Sequence, residues 1–249
     1  MPWAGDARVH GLFTGLGIAA ALAWFAVELR RRRLDDPRLW TLAGFAVTFG
    51  AIGSRVLTWD VSARVSLLDW WVEGNRSILA GLVGAYAGVL LGKRLTGYRP
   101  STGDLFAPAV ALALAIGRIG CLLTENPGTP TGGGWGIVLT PDQAALLGAT
   151  PGVALHPSFA YEIVFHVAAL ALLWHFRDRG PRPGDLFVCW VAAYALFRFG
   201  VEFVRGNDLR WLGLSGPQWF LLIMLPLLAR KVWRVAAARV PAEPEGRTA

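Results

Sequence analysis

Charge is scarce in this chain. Only 16% of its 249 residues are Asp, Glu, Lys or Arg, against about 25% in an average soluble domain, while 54% are hydrophobic and the mean hydropathy is +0.45. A soluble fold of this length could bury a core but not all of these apolar runs, which excludes the ordinary soluble class. Cysteine is almost missing. Cys121 and Cys189 both fall inside apolar runs, so neither a disulfide framework nor a zinc site is supported. The four histidines, His10, His156, His166 and His175, show no metal-ligand spacing, and a metal centre would need carboxylates assembled from several helices. No metal and no cofactor is therefore expected. No internal repeat is present either.

What the chain has instead is long apolar segments. A span needs roughly 20 mostly apolar residues to cross a hydrocarbon core of about 30 Å. Seven segments qualify, near residues 10–29, 40–58, 77–92, 105–123, 158–175, 184–205 and 216–235, joined by stretches rich in Gly, Pro and charge. The expected fold is an all-α polytopic integral membrane protein with seven transmembrane helices. Loops 59–76 and 124–157 would form a small extracytoplasmic head. Residues 1–236 would make one transmembrane domain and 237–249 a short flexible cytoplasmic tail.

The net charge of +7 reads as topology. Basic residues follow the first, third, fifth and seventh spans (Arg30 to Arg33 and Arg38; Lys93, Arg94 and Arg99; Arg177, Arg179 and Arg182; Arg230, Lys231, Arg234, Arg239 and Arg247). The opposite side has Arg8, Arg64, Arg76, Arg205 and Arg210, and no Lys or Arg lies between Thr124 and Pro157. By the positive-inside rule the N-terminus lies outside and the C-terminus in the cytoplasm. The same distribution argues against nucleic acid as a partner, because no nucleic-acid module accompanies it. The first span has a weakly charged start and is followed by four arginines, so it reads as a retained helix rather than a signal peptide.

Three arginines, Arg55, Arg118 and Arg198, sit inside these spans. A guanidinium at membrane depth costs about 2.5–3.5 kcal/mol on insertion scales, so such residues face a protein interior or a wet cavity and mark places where anions are handled. Arg118 is followed by Glu125 and a Gly- and Pro-rich loop that lets backbone approach a ligand, with Gly117 and Gly120 beside the arginine. Two readings stand for Arg118: a contact to an anion, or snorkelling and pairing with Glu125. Arg198, Glu202 and Arg205 fall at i, i+4 and i+7 and form one stripe, either a net positive ridge for a phosphate or an ion ladder between helices.

The fifth span opens with HPSFAYE, in which Pro157 suits a first helical turn and Tyr161 and Glu162 fall at the membrane interface. His156 is a helix-entry hydrogen bonder or a base, and Tyr161 a proton carrier or a member of the aromatic belt. His166 and His175 read as packed or interfacial. Cys121 reads as a packing residue, since no base neighbours it in sequence. The segment Ser66 to Asn75, with Trp70 and Trp71, reads as an amphipathic piece on the outer membrane surface.

The motifs GRIG with a following acid and GTPT, then HPSFAYE, then FRFGVEFVR stand in one order. They extend back through SILAGLVGAYAGVLLGKRL to the Gly53 to Arg55 triplet. Together they resemble the bacterial prolipoprotein diacylglyceryl transferase family. The resemblance implies a multi-pass enzyme of the bacterial cytoplasmic (inner) membrane. Such an enzyme moves the diacylglyceryl group of phosphatidylglycerol to the lipobox cysteine of preproteins, forming a thioether and releasing glycerol phosphate. It carries over Arg118, Arg198, Glu125, His156 and Tyr161 as catalytic candidates. Arg55, Arg118, Gly128, Arg198, Glu202 and Arg205 are carried over as contacts to phosphatidylglycerol. Partners would be phosphatidylglycerol, lipobox-containing preproteins and membrane lipids.

Two positions depart from the family pattern. Leu79 stands where well-known members carry a histidine before a glycine pair, and Cys121 stands where they carry asparagine in GRxGN. The first removes the obvious general base. The departures leave room for a related lipid-headgroup transferase with another acceptor, or for a non-enzymatic protein that binds or transports anionic lipid.

Overall fold

The computed structural model describes residues 1–56, 77–179, 182–207 and 211–237. The loop 59–76, with its amphipathic piece, lies outside the described residues, as does the tail beyond residue 237. Eight α-helices are described: α1 (Ala7–Arg31), α2 (Arg38–Val56), α3 (Ile78–Thr96), α4 (Gly103–Thr124), the short α5 (Pro141–Leu147), α6 (Ser158–Phe176), α7 (Asp185–Val201) and α8 (Gly216–Ala237). A 3-10 turn, Glu202–Val204, continues α7.

Among the described residues six helices are long and apolar enough to cross a membrane: α1, α2, α3, α4, α6 and the segment Asp185–Val204. The seventh expected span forms α8, a 22-residue helix with Pro226 inside it, but it is not among those six. Gln218 near one end and Arg230, Lys231 and Arg234 near the other lower its hydropathy. The chain is thus a mostly helical, multi-pass membrane protein.

The all-α expectation has one exception. Between α4 and α6, strand β1 (Ile137–Val138) pairs antiparallel with β2 (Ala154–Leu155), with Ile137 opposite Leu155. Leu139, Ala144 and Leu155 form a small core beneath this ribbon. The segment also holds α5, which Thr140 starts with a capping box, accepting from the Gln143 N–H while the Gln143 side chain accepts from the Thr140 N–H.

The chain divides into two compact units, Leu29–Pro100 and the remainder formed by Met1–Glu28 with Ser101–Ala249. In the smaller unit α2 and α3 pack backbone to backbone. A Cβ on Gly84 would meet the Phe49 carbonyl oxygen at 2.3 Å, and one on Gly88 the Phe45 carbonyl oxygen at 2.5 Å. Small residues at four-residue spacing thus supply the close approach by which helices associate in lipid.

In the larger unit α4 is the most enclosed helix. Its Ala107 and Ala111 pack with Leu173 of α6 and Trp190 of α7. Asp104 of α4 caps α7 from outside that helix, accepting from the Gly184 N–H at 2.7 Å and the Phe187 N–H at 3.1 Å. Asp6 caps α1 through the Arg8 and Val9 N–H groups. Near its start α1 lies close against α4, because Gly120 has no side chain: a Cβ there would sit 2.9 Å from Phe13 Cβ and 3.4 Å from His10 Cα. This contact sets His10 beside the end of α4.

Candidate active site

The site is built where α4, α6 and α7 meet. Arg118 lies six residues before the end of α4, Glu162 in the first turns of α6, and Arg198 and Glu202 at the α7 end and the 3-10 turn that continues it. Glu162 is the hub. Its side chain is 0% exposed, and its two oxygens meet Arg118 Nη2 and Arg205 Nη1, each at 2.6 Å, while the Tyr194 hydroxyl donates to it at 3.3 Å. Phe159, one helical turn earlier and fully buried, lies under both guanidiniums, 4.4 Å from Arg205 and 5.5 Å from Arg118.

A second carboxylate completes the cluster. Glu202 pairs with Arg198 one turn away and accepts from Asn207 Nδ2 at 2.6 Å and from the Ser215 hydroxyl at 2.7 Å. Gln218 holds that corner, its Oε1 accepting from the Ser215 N–H and its Nε2 donating to the Phe199 carbonyl. Among the described residues the Nε groups of Arg118 and Arg198 are buried donors with no hydrogen-bond partner. Three guanidiniums pair with two carboxylates here, and a third carboxylate, Glu125, lies within reach of the Arg205 charge. The unengaged Nε donors of Arg118 and Arg198 suit an anionic oxygen, and an arginine offers a phosphodiester a planar pair of donors.

Several expectations are corrected here. Arg118 pairs with Glu162 and not with Glu125. Glu162, expected at the membrane interface, is wholly enclosed by protein, where it neutralises two buried guanidiniums. Arg205 does not extend a helical stripe to Glu202. The helix tightens to a 3-10 turn after Val201, and Arg205 turns to Glu162 on another helix. Burial, followed by the charges of Arg118 and Arg198, lowers the Arg205 pKa below its ordinary value.

Gly128 acts through its backbone. Its φ is +154°, and a Cβ would stand 2.3 Å from the Val204 carbonyl oxygen and 2.8 Å from that of His156. Around it the Thr129 N–H donates to Val204 and the His156 N–H donates to Thr129, both at 2.9 Å. The loop after α4 is thereby stitched to the residue before Arg205 and to the entry of α6. His156 Nδ1 lies 3.1 Å from the Tyr161 hydroxyl, with Trp135 edge-on to the imidazole at 5.2 Å, so these two candidates form a pair of their own. Arg55 is buried at the end of α2, in the smaller unit.

Glu125 has a different partner from the one expected. Its Oε1 lies 3.2 Å from His10 Nδ1, and His10 Nδ1 lies 3.9 Å from Cys121 Sγ. Burial works to raise the Glu125 carboxyl. Hydrogen bonds from His10 and the Cys121 thiol, with the charges of His10 and Arg205, outweigh it and hold the pKa at about 2. A base therefore does neighbour Cys121, in space rather than in sequence. His10 went unnoticed as a site residue because it lies 111 positions from Cys121. Glu162 could have been found: it is an ionisable residue within an apolar run, the signal that singled out the arginines. His166, one turn after Glu162, is fully buried beside Tyr194 and Trp190, and His175 bonds Arg179 at 2.6 Å.

A helical multi-pass membrane protein that encloses arginines paired with carboxylates falls among membrane proteins whose intramembrane charges mark a functional site. Residues 4–233 match the family described as prolipoprotein diacylglyceryl transferase, and the chain belongs to that family. Its relatives include the phosphatidylglycerol–prolipoprotein diacylglyceryl transferase of Geobacter sulfurreducens, 33% identical over 84% of this chain and 82% of that protein. Those of Dehalococcoides mccartyi (strain 195) and Leifsonia xyli are 29% and 28% identical, over 88% and 93% of this chain and 85% and 75% of theirs.

Proposed function

We propose that this protein transfers the diacylglyceryl group of phosphatidylglycerol to the lipobox cysteine of preproteins. The thiolate sulfur attacks the glycerol carbon that carries the phosphate ester. A C–S bond forms, the C–O bond breaks, and the electron pair leaves on glycerol phosphate. The observation that carries this reading is the enclosed cluster on Glu162 and Glu202, with two Nε donors unengaged, in a chain matched to the family almost from end to end.

In this reading Arg118 and Arg198 hold the phosphate and stabilise the charge that grows on the leaving oxygen, as donors fixed in a dry site do best. Arg205, Glu202 and Glu162 set the two guanidiniums in place. Gly128 keeps the loop after α4 against the cluster. His156 and Tyr161 move protons, Glu125 orients the headgroup, and Arg55 touches the lipid. Residues 1–236 act as one transferase domain in the bacterial cytoplasmic membrane. There are seven spans, with α8 as the last, and the N-terminus lies outside and the C-terminus inside, as the distribution of Arg and Lys favours.

The test is transfer from labelled phosphatidylglycerol to a synthetic lipobox peptide by the purified protein in nanodiscs, read as thioether mass and released glycerol phosphate. Both products are expected. Glycerol phosphate release without peptide thioether would point to another acceptor, which Leu79 and Cys121 leave room for. Lipid binding with neither product would favour a lipid-binding role.

A further inference from the structure

Three unlike donors converge at the outer end of α4. His10 Nδ1, Cys121 Sγ and a Glu125 carboxylate oxygen all lie within 4.8 Å of one another. The nitrogen to oxygen distance is 3.2 Å and the nitrogen to sulfur distance 3.9 Å. Tetrahedral zinc with Zn–N and Zn–O of about 2.0–2.1 Å and Zn–S of about 2.3 Å separates such ligand pairs by about 3.3 Å and 3.6 Å. The cluster is already near that geometry. One thiol, one imidazole and one carboxylate also form a donor set that zinc favours, and three protein ligands leave the fourth position open, as in catalytic rather than structural sites.

The surroundings hold these donors in place. Gly120 lets the backbone of His10 lie against α4, and the Gly5 N–H ties the entry of α1 to the Thr124 carbonyl at 2.8 Å. Arg118 Nη1, at 3.7 Å from Cys121 Sγ, joins this cluster to the phosphate-binding arginines.

We propose that His10, Cys121 and Glu125 bind a zinc ion whose open position takes the thiol of the acceptor cysteine. The inference rests on the transferase reading and gives Glu125 to the metal in place of the headgroup. On coordination the acceptor S–H gives its proton to water, because a metal-bound thiol is held as thiolate. The thiolate sulfur then attacks the diacylglyceryl carbon. The C–S bond forms, the C–O bond to phosphate breaks, and glycerol phosphate leaves with the electron pair into the field of Arg118 and Arg198. No electrons are exchanged with the metal.

The experiment uses the full chain, purified without chelator and equilibrated with Zn²⁺ or Co²⁺. Metal content is measured by mass spectrometry and the thiolate-to-cobalt absorption by spectroscopy. Expected are about one zinc per chain and a charge-transfer band. Both should fall more than tenfold in affinity in Cys121→Asn and His10→Gln, since even indirect supports of a ligand cost 10–100-fold. Cys189→Ser should retain both. Circular dichroism that matches wild type in Cys121→Asn and His10→Gln makes their loss of metal local to the site. Absence of stoichiometric metal in the wild type, or metal retained in Cys121→Asn, overturns the site. Transfer measured on the same samples separates the two claims: metal without transfer sinks the transferase reading alone, and transfer that persists after complete metal removal sinks the role of the metal alone.

Discussion

Glu162→Ala is the most informative single perturbation of the cluster. One carboxylate, completely enclosed, neutralises Arg118 and Arg205 at 2.6 Å each. Removing one partner of a buried pair costs about 3–5 kcal/mol, because the remaining charge is stranded. Here two guanidiniums are stranded together and repel one another. The loss should therefore lie at the upper end of that range, near 5 kcal/mol, and Phe159 cannot replace the missing charge. Reversible unfolding in mixed micelles, followed by tryptophan fluorescence, reads the loss directly. The double variant Glu162→Ala/Arg205→Ala should recover part of it, with a coupling energy of about 1–3 kcal/mol between the two sites. Transfer activity should vanish in the single variant, since Arg118 loses the group that aims it. A Glu162→Ala protein within about 1 kcal/mol of wild type would refute the claim that Glu162 is the electrostatic hub.

Three further outcomes follow from the same geometry. Arg198→Lys keeps a charge for Glu202 but loses the planar fork. One charge-assisted hydrogen bond of about 1.5–3 kcal/mol corresponds to a roughly ten- to hundredfold fall in transfer rate, and an unchanged rate would contradict phosphate contact by Arg198. Gly128→Ala forces a Cβ against the Val204 and His156 carbonyls, so transfer should be lost together with about 1–3 kcal/mol of stability, measured by the same unfolding assay. Tyr161→Phe removes the bond to His156 and should slow transfer while leaving phosphatidylglycerol binding at the wild-type level; an equal loss of binding would make the pair structural.

Much of this was legible in the sequence, for physical reasons that can be named. Arg118 and Arg198 stood out because a charge inside an apolar run is costly, and both proved to be enclosed. The Arg198 to Glu202 pair followed from helical periodicity. Periodicity then failed at Arg205, because a local tightening of the chain after Val201 cannot be read from spacing. The pairing of Arg118 with Glu162 joins two helices and depends on packing, for which a sequence has no code. Glu162 was judged by its nearness to the start of a span, although its burial is set by α4 and α7 beside it. The His10, Cys121 and Glu125 cluster was the least accessible, since it needs α1 to fold back on α4 through the gap at Gly120. The β1 to β2 ribbon was hidden in the same way, two residues per strand being too few for any alternation to register.

The central claim is that Arg118 and Arg198 hold the phosphate of phosphatidylglycerol while its diacylglyceryl group moves to a thiol. The most direct measurement is single-turnover thioether formation on a lipobox peptide by wild type, Arg118→Ala and Arg198→Ala, each shown to be folded. The account predicts product from wild type and a fall of about 10²–10³ in each variant, the cost of removing one fixed donor from a developing charge. Wild-type rates in both variants, or a folded wild type that forms no thioether, would contradict it.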